Sequence, residues 1–132
     1  MPSVVADTHA LLWMLGGNLR ERSPVASDAI DQALIAKSLH VSIGSFLDLR
    51  YLVDSGRLAE EAFDDARSIV DGDAFTVVPL DLRVLDRMAA VPREQVPDPF
   101  DRIIAATALT LDLPLVSADE DIQRAIGERV IW

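Results

Sequence analysis

Cysteine is absent from these 132 residues, which excludes disulfides, thiolate zinc sites and cysteine nucleophiles. Nothing then calls for an oxidising compartment, and the cytoplasm is the expected location. Histidine occurs only at His9 and His40, too few for a histidine-rich zinc centre, so any metal must be held mainly by oxygen ligands. Magnesium, or alternatively manganese, is the natural candidate for such a donor set. Lysine is reduced to Lys37, and 12 Lys and Arg face 22 Asp and Glu, a net charge of -10. That balance argues against a long phosphate-binding surface. It serves either solubility in general or a pocket where acid is concentrated to attract cations.

Long apolar runs are missing too. Stretches such as Ile103 to Ala106 stop far short of the roughly 20 residues needed to cross a bilayer. Asp7 arrives before a signal-peptide apolar region could form, so a soluble protein without a membrane anchor is expected. No repeat, low-complexity tract or Gly/Ser linker divides the chain. With 50% hydrophobic and 26% charged residues, residues 1–132 read as one globular domain with a substantial core.

Apolar runs of two kinds alternate along the chain. Ser3-Val4-Val5-Ala6 suits a short buried strand, and Ala10 to Leu15 suits a helix ended by Gly16-Gly17. Ser23-Pro24 supplies a cap and a first-turn proline for a helix reaching about Ser38. A strand at 40–42 precedes helices over about 45–54 and 59–70, the first closed by Gly56. Phe75 to Val78 reads as a strand, 82–89 as a short helix, and Asp98-Pro99 opens a helix through Ile103 to Leu109 that is apolar almost all round. Leu115-Val116 and Val130-Ile131 complete the strands. The alternation predicts a three-layer α/β/α domain with a mostly parallel central sheet, whose ligand site lies beyond the carboxyl ends of the strands.

Four aspartates draw notice against this pattern. Asp7 follows the first strand directly and Asp119 follows Leu115-Val116 by three residues; each either caps the next helix or faces a site. Asp48 falls inside a helix, where aspartate is a poor former unless it faces water. Arg50, Asp54 and Arg57 lie roughly 200°, 240° and 180° around from it, whereas Gly44, Ser45, Tyr51 and Leu52 share its face. Asp48 therefore needs a partner, either a metal or an arginine such as Arg102. Asp101 sits in the first turn of the apolar helix, favourably near the positive end of its dipole, while Asp98 acts as the cap. Gathered in one pocket, the four would raise one another's pKa, a conflict that a divalent cation resolves.

Taken together, these segments resemble the PIN-domain nucleases, and among them the VapC-type toxins of bacterial toxin-antitoxin pairs. The resemblance runs from Val5-Ala6-Asp7-Thr8-His9-Ala10-Leu11-Leu12-Trp13, through Val41-Ser42 to Asp48 and Gly56-Arg57-Leu58. Its most specific segment is Asp98-Pro99-Phe100-Asp101-Arg102-Ile103-Ile104-Ala105-Ala106-Thr107-Ala108. Leu113 to Asp119 and Val130-Ile131-Trp132 complete it. It implies Asp7 and Asp101 as metal ligands, with Asp119 and Asp48 finishing the site directly or through water. Thr8 and Ser117 would sit beside the metal, and Arg102 would contact phosphate. The implied reaction is hydrolysis of RNA phosphodiesters by water, leaving a 5' phosphate and a 3' hydroxyl. The implied partners are a cognate antitoxin protein, a structured RNA substrate such as transfer or ribosomal RNA, and a second copy in a homodimer. The family usually carries glutamate where this chain has Asp48, one methylene shorter.

Other readings fit less well. A phosphoacceptor receiver domain needs a lysine near the end of the sheet, and Lys37 is misplaced. A haloacid-dehalogenase-like phosphatase wants aspartate where His9 stands, and a serine hydrolase built on His9 lacks the Gly-x-Ser-x-Gly elbow. A degenerate PIN module that binds protein or RNA without cutting remains the main alternative, with Asp48 as its mark.

Overall fold

The computed structural model describes residues 2–16 and 23–132. Five strands, β1 (Val4–Ala6), β2 (Leu39–Ser42), β3 (Phe75–Val78), β4 (Leu115–Val116) and β5 (Val130–Ile131), form one sheet. Helices α1 (Thr8–Met14), α2 (Pro24–Ile35), α3 (Ile43–Asp54), α4 (Glu60–Ile69), α5 (Leu82–Arg87), α6 (Pro99–Leu111) and α7 (Glu120–Ile126) connect them. The strand order is β3-β2-β1-β4-β5 and every pairing is parallel. The mostly parallel sheet expected is thus parallel throughout, as helical crossovers between neighbouring strands require.

Side chains alternate across a strand, so a sheet covered on both faces buries all of them. Val4 and Ala6 join Ala10, Trp13, Ala26 and Ile30 in the core beside α1 and α2. Val5, between them, joins Ile104, Ala105 and Ala108 of α6 on the other face. A third cluster sets Leu11 and Val41 against Phe46 and Leu49 of α3 and Ala66 of α4. This is the three-layer α/β/α arrangement. Helix α6 buries every residue from Ile103 to Ala108, in keeping with its apolar circumference. Among the described residues no helix is long and apolar enough to cross a membrane.

Several helix ends depart from expectation for local reasons. Ser23 caps α2 through Ala26 N at 3.0 Å, with Pro24 in its first turn. The helix stops at Ile35, three residues early, because Lys37 turns left-handed (φ 55°) and Ser38 N–H closes onto the Ala33 carbonyl at 2.8 Å. Helix α3 starts at Ile43, earlier than expected, because Ser42 ends β2 and caps the helix in one step. Gly16 has φ 105° after α1, whereas Gly17 lies outside the described residues. A 3-10 turn at Met88–Ala90 continues α5.

Candidate functional site

Because all strands run the same way, the ends of β1, β2 and β4 open onto one edge of the sheet. Ala6 pairs with Val41 on one side and Val116 on the other. Asp7 thus leaves the sheet where the strand order reverses, between β1 and β4, the crevice where open α/β sheets hold ligands.

Asp7 is 3% exposed, and its Oδ1 accepts the Ala10 N–H of α1 at 2.9 Å. Burial raises its pKa, and Asp119 adds to the rise; the Ser117 hydroxyl, the Ala10 N–H and His9 work against it. Asp119 caps α7 with its Oδ1 on Ile122 N at 2.9 Å, while its own N–H donates to Ser117 Oγ at 3.1 Å. Both residues are therefore helix caps, and capping does not preclude a second task because a carboxylate has two oxygens. Asp98 caps α6 with one oxygen on Phe100 N (2.8 Å) and Asp101 N (3.0 Å).

Asp101 connects the cluster. Burial pushes its pKa up to about 7, with further contributions from Asp98, Asp119, Asp48 and Asp7 in that order. The sheet edge and the two helices α3 and α6 thus bring all four predicted acids within electrostatic reach. Asp48 is partly buried and its pKa is raised by that burial, then by Asp98; Thr8, His9 and Arg57 pull it back. Its helix is set close to α6 at Gly44, where a Cβ would stand 2.9 Å from Ile103 Cγ2 and 3.2 Å from the Phe100 carbonyl. Thr107 Oγ1 reinforces that contact through Ser42 Oγ at 3.1 Å.

The donors are hard oxygens within electrostatic reach of one another, the donor type that a divalent cation prefers. Thr8 Oγ1 and Ser45 Oγ are buried without a hydrogen bond of ordinary geometry, and of the two Thr8 is near enough to Asp48 to act on it. Among the described residues no three His, Asp or Glu side chains stand close enough to grip an ion as they are. The four acids are electrostatic neighbours, and closing on a cation requires their side chains to draw together.

Three residues differ from the sequence-based reading. Arg102 does not pair with Asp48; its guanidinium donates to the carbonyls of Val91 (2.8 Å) and Met88 (3.0 Å), tying α6 to the preceding turn. Arg57, placed opposite Asp48 by helical spacing, instead acts on it electrostatically. The helix ends at Asp54 and Gly56 (φ 77°) reverses the chain, so the angular count ceases to apply. Tyr51, expected to face the protein beside Asp48, is 53% exposed, whereas Gly44 and Ser45 of that face are buried. His9, which touches the balance of both Asp7 and Asp48, was not assigned to the site; its position two residues after Asp7 was the available signal.

The sequence matches the PIN domain family over residues 4–128. No curated protein sequence matches it. Solved structures share the fold at low identity. A toxin-antitoxin complex from Klebsiella pneumoniae aligns with TM-score 0.62 and 19% identity, covering 98% of this chain and 97% of the other. VapBC2 from Rickettsia felis, bound to a DNA fragment from its promoter, aligns at 0.67 and 10%, covering 96% of each chain. DNA-bound VapBC from Salmonella typhimurium aligns at 0.66 and 17%, covering 98% and 97%.

Proposed function

The chain belongs to the PIN-domain family, and from that premise we infer that it is a metal-dependent endoribonuclease, the toxin of a toxin-antitoxin pair. The observation that carries this reading is Asp101, raised to about 7 by burial together with Asp98, Asp119, Asp48 and Asp7. Acids so arranged are costly without a counter-charge. The end-to-end likeness to toxin-antitoxin and VapBC structures supports the toxin role and a cognate antitoxin as partner. The homodimer belongs to the same reading, supported by the exposed Leu80, Leu82 and Leu85, and so does a cytoplasmic location.

Asp7, Asp101 and Asp119 would hold magnesium or manganese, with Asp48 reaching it through water because its side chain is short. The cation would neutralise charge on the phosphodiester and make bound water a better nucleophile. Asp7 is positioned for this by its cap to α1, which fixes the carboxylate through Oδ1. Ser117 braces the same corner, acting on Asp7 and accepting from Asp119 N. Thr8 is buried and near enough to Asp48 to lower its pKa, so its hydroxyl would donate to the ionised Asp48.

A second reading, a binding module that does not cut, is favoured by one observation: among the described residues no three acids stand close enough to hold an ion unaided. Cleavage of total cellular RNA by the purified, antitoxin-free protein in magnesium, manganese or EDTA separates the two. Asp7→Asn and Asp101→Asn are the paired controls; asparagine also caps helices, so Asp7→Asn tests charge with the cap kept. Discrete metal-dependent fragments lost in both variants support the nuclease. Intact RNA under every metal, with well-folded protein, favours the binding module and makes Asp48→Glu the variant to try next.

A further inference from the structure

We propose that Tyr51 and Arg57 form a stacking platform that receives one unpaired base of the RNA beside the acidic centre, a proposal that rests on the nuclease reading above. Tyr51 is the chain's sole tyrosine and keeps 53% of its surface in water. It stands on α3 three residues after Asp48, so the two share a helix face. Its ring meets Phe100 at a centroid distance of 5.9 Å, tilted by 49°. Phe100 in turn lies between Asp98 and Asp101 and is fixed by its N–H bond to Asp98 Oδ1. An exposed aromatic ring is thereby anchored against the turn that carries Asp101.

Arg57 brings the opposite charge to the same place. Its guanidinium carbon is 5.7 Å from the Tyr51 ring centroid, within cation-π range, and its Nε donates to Ser55 Oγ at 3.2 Å. It is close enough to Asp48 to lower that residue's pKa, yet among the described residues it forms no ion pair. Lys37, Arg50, Arg67, Arg83, Arg124 and Arg129 are all held by carboxylates. Beside a cluster of acids, a polyanionic substrate is repelled, and two interactions offset this. Stacking does not depend on charge, and a guanidinium can stack on a base while attracting the adjoining phosphate. Three chain segments, carrying Asp48 with Tyr51, Arg57, and Phe100 with Asp101, supply both at one point.

The test uses a short single-stranded RNA carrying 2-aminopurine, whose fluorescence is quenched on stacking, titrated into Asp7→Asn protein with and without magnesium. Quenching that survives Tyr51→Phe but weakens roughly tenfold or more in Tyr51→Ala supports the platform. Arg57→Gln weakens binding further than Arg57→Lys, because lysine keeps the charge and loses the plane. In the otherwise wild-type enzyme, Tyr51→Ala raises KM more than it lowers kcat and spreads the cleavage positions. Normal binding and cleavage by Tyr51→Ala, in a background that cuts RNA, overturns the platform and leaves the nuclease standing. Tyr51→Ala that handles RNA normally but loses a co-expressed protein partner assigns the surface to that partner and also overturns it. A wild-type protein that neither cuts nor binds RNA removes the nuclease reading and the platform with it.

Discussion

At the scale of single residues, Asp101 makes stability depend on pH in a direction opposite to that of most carboxylates. Its unfolded value is near 3.8 and its folded value about 7, so between these the folded chain keeps a proton that the unfolded chain releases. Stability therefore falls as pH rises through that window, and the penalty is complete above about 7. Asp101→Asn removes it. In EDTA at pH 8 the variant should melt a few degrees above the wild type, roughly 1 kcal/mol, and at pH 4 the two should melt together. A wild type more stable than the variant at pH 8 would show Asp101 already well paired. Asp7, Asp101 and Asp119 were legible in the sequence because strand ends and first turns are places where an acid has a stated position. Asp48 was legible from helical spacing, but Arg57 was not, since its approach depends on a chain reversal that spacing ignores.

At the scale of secondary elements, the site depends on how closely α3 and α6 lie together. Gly44 permits that approach; Gly44→Ala forces a methyl group against Ile103 and the Phe100 carbonyl, costing about 1–3 kcal/mol. Thermal unfolding reads this directly, and RNA cleavage should fall more than stability alone explains, because Asp48 shifts away from Asp101. Arg102 is the complementary case. Arg102→Met leaves the carbonyls of Met88 and Val91 without their donor and should destabilise by about 1–3 kcal/mol. Unchanged melting with weakened RNA binding would instead return Arg102 to the phosphate role. Element identities were readable from caps and periodicity, Ser23-Pro24 and Asp98-Pro99 above all. Boundaries were less so, because a left-handed Lys37 and a serine that ends a strand while starting a helix are decided by packing around them.

For the whole molecule, a charge of -10 with four acids in electrostatic reach of one another at one sheet edge leads, under the proposed function, to the prediction that divalent cations stabilise the fold. Millimolar magnesium should raise the melting temperature at pH 8, the shift growing with the logarithm of concentration. It should be smaller at pH 6, where Asp101 is protonated, and absent in Asp101→Asn; equal shifts in both proteins would mean general screening. Fold class was readable because alternating strands and helices leave few topologies, whereas the electrostatic coupling of four acids separated by up to 112 positions is a property of the folded state alone. The insertion of β4 between β1 and β5 carries a consequence for synthesis. The strand beside Asp7 is made 108 residues after it, and Asp119 follows that strand. A chain interrupted before Asp119 lacks part of the acid cluster, so under the nuclease reading a growing polypeptide should stay inactive until the residues through Asp119 have been made.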